Sequence, residues 1–87
     1  MHKIAIVDDC DADRELLKSF ISRFDMEEND KCQVMEFADG SDIISSYDSM
    51  YEVIFMDIEM QKMDGLKTAM RIRNMDKSVP IIFTTNY

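Results

Sequence analysis

Two short apolar runs stand out along the chain, and each ends at an acidic residue. Residues 4–7 read IAIV and precede Asp8, and residues 53–56 read VIFM and precede Asp57. An unbroken apolar run of this length is typical of a strand that is buried on both faces, as in a parallel sheet. The pattern therefore predicts two central parallel strands, each of which delivers an acid at its carboxyl end.

Between and after these strands, apolar residues recur at helical spacing. The first helix shows one apolar stripe, and the third is expected to turn Leu66, Ala69, Met70 and the stem of Arg73 inward. A polar loop is expected over 26–31, and Asp64 is a good candidate for the N-cap of the third helix. The apolar stripe of the first helix comprises Leu16, Leu17, Phe20, Ile21 and Phe24. The predicted strands span 3–7, 32–37, 53–57 and 81–84, and the predicted helices span 11–24 or slightly beyond, 41–47 and about 64–76.

Strands that alternate with helices in this way indicate an α/β fold, a doubly wound parallel sheet. The two most apolar strands should lie side by side, with strand two beside strand one and strand four beside strand three. The predicted strand order is therefore 2-1-3-4. In such sheets, ligands bind at the carboxyl ends of the strands where the winding direction changes.

Three acids are expected to converge at that edge of the sheet. Asp8 and Asp9 follow strand one, and Asp57 ends strand three. A single Asp after a strand is usually a turn residue or a helix cap, but three acids at neighbouring strand ends indicate a site. A hydroxyl of Thr84 or Thr85 would reach the same edge, although either residue could simply be a β-branched strand residue.

Clustered carboxylates repel one another, and a bound cation relieves that repulsion. Oxygen ligands without His or Cys nearby favour Mg²⁺, Mn²⁺ or Ca²⁺ over zinc. Because Mg²⁺ also binds phosphate oxygens, an adjacent aspartate could attack a phosphoryl donor and form an aspartyl-phosphate. The sequence therefore predicts phosphoryl chemistry at this site.

Composition excludes several other functions. The 87 residues suffice for one small domain, and the net charge of −8 argues against direct nucleic-acid binding or an anionic membrane surface. No segment resembles a signal peptide or a membrane span. The two cysteines, Cys10 and Cys32, fit neither a disulfide framework nor a zinc site. These features indicate reduced thiols and a cytoplasmic location.

The chain resembles the receiver domain of bacterial two-component response regulators, which has a flavodoxin-like fold. The resemblance implies that Asp57 is the phosphoacceptor, that a sensor histidine kinase is the donor, and that the module signals and is not an enzyme. It further implies that Asp8, Asp9, Asp57 and the backbone carbonyl of Glu59 bind Mg²⁺, and that Thr85 is the switch hydroxyl. The short segments DIEM and IIFTTNY are most similar to those of receivers attached to LytTR-type DNA-binding domains, and this resemblance would imply a role in transcription regulation. The matching segments are IAIVDDC at 4–10, VIFMDIEMQKMDG at 53–65 and PIIFTTNY at 80–87.

The chain departs from the family pattern at two places. Gln61 stands where the family usually has Pro, so we expect a looser turn with unchanged chemistry. Residues 1–87 are also expected to form an incomplete receiver domain, because the family continues through a fourth helix, a fifth strand with a phosphate-binding lysine, and a fifth helix. Strand four would then be an exposed apolar edge, and we expect the chain either to self-associate through it or to be only marginally folded.

Two alternative functions stay open from the sequence. One is a receiver-like fragment that is not phosphorylated and acts as an interaction or dimerisation module. The other is a phosphatase of the haloacid-dehalogenase type, which also uses a strand-end aspartate and Mg²⁺. That class needs a second aspartate two residues after the nucleophile, where this chain has Glu59.

Overall fold

The computed structural model describes residues 2–28 and 31–84, without the side chain of Glu28. Strands and helices alternate along the chain as the hydrophobic pattern predicts. The four strands are β1 (His2–Val7), β2 (Cys32–Phe37), β3 (Val53–Asp57) and β4 (Ile81–Thr84). The three helices are α1 (Asp11–Glu28), α2 (Gly40–Ser45) and α3 (Gly65–Met75).

All four strands belong to one parallel sheet with the order β2-β1-β3-β4, which confirms the predicted order. β1 and β3 are neighbours at the centre, and Val7 pairs with Met56. Because the two strands are in register, the residues that follow them come out at the same edge of the sheet. This register sets the position of Asp8 beside Asp57.

Each face of the sheet carries its own apolar core. On one face, Ile21 of α1 packs on Ile4 and Ile6 of β1. On the other face, Ile43 of α2 and Ile72 of α3 pack on the central strands. The two faces together bury the residues of β1 from Ile4 to Val7 almost completely. This burial on both sides is the reason why β1 and β3 are apolar without interruption.

Helix α1 is longer than predicted and buries less of its stripe. Residues 26–28, which were expected to lie in a loop, continue the helix as far as Glu28. Ile21 is buried, whereas Leu16 and Phe20 are more than half exposed. Only part of the apolar stripe therefore packs on the sheet, through Ile21 and the partly buried Leu17.

Helix α2 ends earlier than predicted. Its last residue is Ser45, and Ser46 is its C-cap. Tyr47 lies outside the helix, and its hydroxyl donates to Asp76 Oδ2 at 2.7 Å. This contact joins the loop after α2 to Asp76, the C-cap of α3.

The prediction of which residues of α3 face the sheet was partly wrong. Ala69 is buried as predicted, but Leu66 is 53% and Met70 69% exposed. Thr68 and Ile72 are fully buried in their place. Thr68 is accommodated because its hydroxyl donates to the Asp64 carbonyl at 3.0 Å, which satisfies the polar group within the helix.

Strand β4 lies at an edge of the sheet, where it pairs with β3 alone among the described residues. Ile82 and Phe83 are nearly half exposed. Within 2–28 and 31–84, no helix combines the length and the apolar character that crossing a bilayer requires.

Candidate phosphoacceptor and metal site

The three predicted acids meet at the carboxyl ends of β1 and β3. Asp57 is the last residue of β3, and Asp8 and Asp9 directly follow β1. One carboxylate oxygen from each of the three lies within 4.8 Å of the others. Asp8 and Asp57 are buried, whereas Asp9 is exposed at the mouth of the site.

Backbone amides hold one oxygen of each carboxylate. The donors to Asp8 and Asp57 lie two residues further along the chain, whereas the donor to Asp9 comes from the loop after β3. Because every carboxylate retains a second oxygen, the cluster can still bind a ligand. The three bonds run from Cys10 N to Asp8 Oδ1 (2.9 Å), from Glu59 N to Asp57 Oδ1 (3.4 Å) and from Gln61 N to Asp9 Oδ2 (3.0 Å).

Asp57 is the most unusual titratable group of the site. Its side chain is 1% exposed, and its Oδ2 is buried without a hydrogen-bond partner among the described residues. Burial, reinforced by the neighbouring charge of Asp8, raises the pKa of Asp57 to about 6, although the Glu59 N–H opposes the shift. Burial also raises the pKa of Asp8, against the stabilising N–H of Cys10. A buried carboxylate whose pKa is raised by burial and by a neighbouring charge is a candidate functional group.

The donor set fits a hard divalent cation. The cluster consists of carboxylates and contains no His or Cys, which favours Mg²⁺ over zinc. A cation would supply the partner that Asp57 Oδ2 lacks and would reduce the repulsion that raises its pKa. The residues are therefore compatible with a Mg²⁺ site.

A family model for the response regulator receiver domain matches residues 4–87. The chain belongs to this family. It is also 31% identical, over 83 residues, to the chemotaxis protein CheY of Listeria monocytogenes and to that of Listeria innocua. The matched segment covers 94% of this chain and 66% of each relative, so the chain spans slightly less than two thirds of their length.

Solved structures of response regulators have the same fold. The response regulator TrrA from Thermotoga maritima, in complex with Mg²⁺-BeF, is 30% identical with a TM-score of 0.78. A complex of the histidine kinase ThkA with TrrA contains a chain that is 34% identical, with a TM-score of 0.76. In each case the match covers 100% of this chain and 71% of the other. The doubly wound receiver fold predicted from the sequence is thus confirmed.

The receiver hydroxyl expected from the sequence, Thr85, lies outside the described residues. Thr84 pairs with Asp57 in the register between β4 and β3, and its carbonyl accepts the Ile58 N–H at 3.1 Å. Thr84 lines a cleft together with Asp8 and Asp13 on the α1 side of the sheet. The metal-binding roles of Asp8, Asp9 and the Glu59 carbonyl stay predictions.

Helix α1 contributes two residues, Arg14 and Asp13, that the sequence pattern did not assign to the site. The Arg14 Nη1 donates to the backbone carbonyl of Asp8 at 2.5 Å, and its Nε donates to Glu36 at 3.3 Å. The charge of Asp13 adds to the rise in pKa of both Asp8 and Asp57. The position of Asp13 in the first turn of α1 was visible in the sequence, but its proximity to the two strand ends required the fold.

The turn after β3 places the Gln61 backbone against the acid cluster. The looser turn expected at Gln61 stays a prediction. The backbone N–H that a proline would lack donates to Asp9, across 52 positions of sequence. Asp64 caps α3 as predicted, with its side chain accepting the Lys67 N–H at 2.8 Å. The Gln61 N–H is therefore a direct contact between the turn and the acid cluster.

Proposed function

We propose that this receiver accepts a phosphoryl group on Asp57, with Mg²⁺ held by Asp8, Asp9, Asp57 and the backbone carbonyl of Glu59. The observation that carries the proposal is the buried Asp57 Oδ2, which has no partner among the described residues and lies within the three-acid cluster. The family match and the similarity to TrrA, whose structure contains Mg²⁺-BeF, support the same assignment. Residues 1–87 then supply the strand-end acids of one receiver domain.

The chemistry needs an ionised nucleophile. With a pKa of about 6, Asp57 is mostly a carboxylate at pH 7.5. One carboxylate oxygen of Asp57 would form the new O–P bond and the other would remain for the cation. The bond from phosphorus to the donor atom breaks, and the leaving group keeps that electron pair, with a proton from solvent where the leaving atom is a histidine nitrogen. Mg²⁺ would neutralise charge on the transferring group.

The residues around Asp57 would orient it for this attack. The Glu59 N–H holds Oδ1, which leaves Oδ2 directed away from the backbone amide. Gly65 and Ile58 close the turn beneath Asp57 through a 2.8 Å bond between the Gly65 N–H and the Ile58 carbonyl. Thr85, as the aligned switch hydroxyl, would donate to a phosphoryl oxygen.

The proposed donor is a sensor histidine kinase. The solved complex of ThkA with TrrA shows a kinase and a response regulator together, and TrrA is similar to this chain. We place the module in the cytoplasm, as a signalling acceptor without multi-turnover catalysis of its own. Coupling to transcription through a LytTR-type output domain stays a prediction from local sequence resemblance.

Intact mass after incubation with acetyl phosphate tests the proposal. We expect one added phosphoryl group on the wild-type chain with Mg²⁺, and none when EDTA replaces Mg²⁺ or when Asp57→Asn replaces the acceptor. Asp9→Ala should need more Mg²⁺ for the same labelling. Equal labelling of wild type and a folded Asp57→Asn variant would disprove the assignment of the acceptor.

A second proposal concerns association through β4. This strand pairs with β3 alone among the described residues, and it exposes Ile82 and Phe83. An apolar strand edge can pair with the same edge of a second copy. We expect light scattering of the 87-residue chain to show dimers that dissociate in an Ile82→Lys variant. A compact monomer across the whole concentration range would contradict this proposal.

A further inference from the structure

The bond between the Gln61 backbone and Asp9 links the turn after β3 to the acid that follows β1. The Gln61 N–H donates to Asp9 Oδ2 at 3.0 Å. Asp9 is the exposed member of the acid cluster, and Asp8 and Asp57 are buried. A buried carboxylate is confined by its surroundings, whereas an exposed one changes rotamer freely unless a hydrogen bond holds it.

The structure also fixes the position of the donor. At its carboxyl end the turn is closed by the Gly65 N–H, which donates to the Ile58 carbonyl at 2.8 Å. Beside Gln61, the Lys62 Nζ lies 3.8 Å from Asp39 Oδ2, which joins the turn to the segment before α2. The Gly65–Ile58 bond closes the turn that contains Gln61, so the Gln61 amide lies on a turn of defined path next to Asp9.

We infer that the Gln61 backbone N–H is a positioning group that holds the Asp9 carboxylate towards Asp8 and Asp57 and thereby strengthens divalent-cation binding. This inference rests on the proposed Mg²⁺ site. It assigns the effect to the main-chain amide and not to the Gln61 side chain, which is exposed.

The bond and a cation can share one carboxylate. An ionised Asp has two oxygens with about four acceptor positions, so one N–H leaves the remaining positions available. The benefit to binding comes from order that exists before the cation arrives, because an already oriented ligand loses less freedom on binding. Hydrogen bonds to metal-binding carboxylates commonly change metal affinity by about 10- to 100-fold. Because Asp9 is exposed, we expect the lower end of that range.

Two substitutions at one position separate the amide from the side chain. Gln61→Pro removes the N–H, whereas Gln61→Ala keeps it and removes the amide side chain. Isothermal titration with Mg²⁺ alone, on the wild type and both variants, measures the effect. We expect Gln61→Ala to bind Mg²⁺ like the wild type and Gln61→Pro to bind about tenfold more weakly. Circular dichroism and urea unfolding establish that the variants are folded.

Amide hydrogen exchange tests the same bond without a proline. In the metal-free wild type we expect the Gln61 N–H to be protected, and in Asp9→Ala we expect it to exchange faster while the amides of β1 and β3 stay unchanged. A change confined to Gln61 would support a direct bond, because a general loss of structure would affect the strands as well.

The outcomes distinguish this inference from the proposed function. If the wild type binds Mg²⁺, and folded Gln61→Pro and Gln61→Ala bind it with equal affinity, the positioning role of the Gln61 N–H is overturned while the proposed function stands. An unchanged Gln61 exchange rate in Asp9→Ala would overturn the positioning role as well. Absence of Mg²⁺ binding by the wild type would overturn both proposals together.

Discussion

Gly65 packs directly against the backbone carbonyl of Asp57. A Cβ at position 65 would overlap the Asp57 carbonyl oxygen and lie 2.9 Å from its carbonyl carbon. The Cα of Ile58 would lie 3.0 Å away. The first residue of α3 is thus in contact with the backbone of the proposed phosphoacceptor, so a movement of either one requires a movement of the other.

This contact predicts that Gly65→Ala destabilises the fold. Because the neighbouring atoms are backbone, the chain must shift to admit a methyl group, and such overpacking costs about 1–3 kcal/mol. In an open helix the same change would add about 0.5–1 kcal/mol of stability, so the sign of the change is diagnostic. Urea unfolding at pH 7.5 measures it.

Asn74→Ala is the matched control for Gly65→Ala, since Asn74 is exposed on the same helix. We expect its unfolding free energy to stay within about 0.5 kcal/mol of the wild type. The Gly65→Ala variant should also accept less phosphoryl from acetyl phosphate, because the Asp57 backbone has moved. A Gly65→Ala chain as stable as the wild type would show that the contact imposes no constraint.

The pKa of Asp57 predicts a pH dependence of stability in the absence of metal. The folded-state pKa is about 6, and an unfolded Asp titrates near pKa 3.9. Between about pH 4 and 6 the folded chain therefore binds more protons than the unfolded chain. The contribution of Asp57 to stability falls as pH rises through this range and reaches a cost of about 3 kcal/mol above it.

Asp57→Asn should remove that cost. We expect the metal-free variant to be more stable than the wild type at pH 7.5, by up to about 3 kcal/mol, and the difference to disappear below about pH 4. Glu27→Gln, at an exposed acid of α1, serves as the control for removing one acid, and we expect its unfolding free energy at pH 7.5 to stay within about 0.5 kcal/mol of the wild type. A constant difference between Asp57→Asn and the wild type would contradict the raised pKa.

The buried face of α3 gives a prediction about packing. Ile72 is fully buried against the sheet, whereas Met70 is 69% exposed. Ile72→Ala should cost about 2–5 kcal/mol of unfolding free energy, and Met70→Ala should change it by less than about 0.5 kcal/mol. Thermal and urea unfolding of the two variants compare them directly. A similar loss of unfolding free energy in both variants would contradict this prediction, because it would mean that α3 is rotated about its axis relative to the structure described above.

The sequence predicted the sheet well because burial on both faces leaves a direct signature. An uninterrupted apolar run such as residues 53–56 has few alternatives, and an acid at its end marks the edge of the sheet. The convergence of Asp8, Asp9 and Asp57 follows from the strand order together with the parallel register of β1 and β3. The strand order and the acids at the strand ends depend on the pattern of apolar and polar residues along the chain, and hardly at all on individual side-chain contacts.

The orientation of α3 was harder to predict, because hydrophobicity misjudges Thr68. A threonine ranks as polar, yet its hydroxyl is satisfied within the helix by Asp64. It also packs beneath Gly40, where an added Cβ would overlap its Oγ1. A position that is both polar and fully buried shifts the apparent apolar face by one residue.

The contacts that complete the site depend on the tertiary structure. The Gln61 amide and Asp9 are 52 positions apart, and the sequence showed only that a proline was missing. Arg14 reaches Asp8 across the start of α1, which no spacing rule indicates. Such bonds require the turn and the strand ends to be placed together in three dimensions.

The central claim is that Asp57 carries the phosphoryl group, and chemical trapping tests it most directly. The wild-type chain would be treated with acetyl phosphate and Mg²⁺, reduced with borohydride, which converts an acyl phosphate into an alcohol, and digested for peptide mass analysis. We predict homoserine at position 57 alone and only when Mg²⁺ is present. Homoserine at Asp8 or Asp9, or no conversion in a folded chain that binds Mg²⁺, would contradict the account.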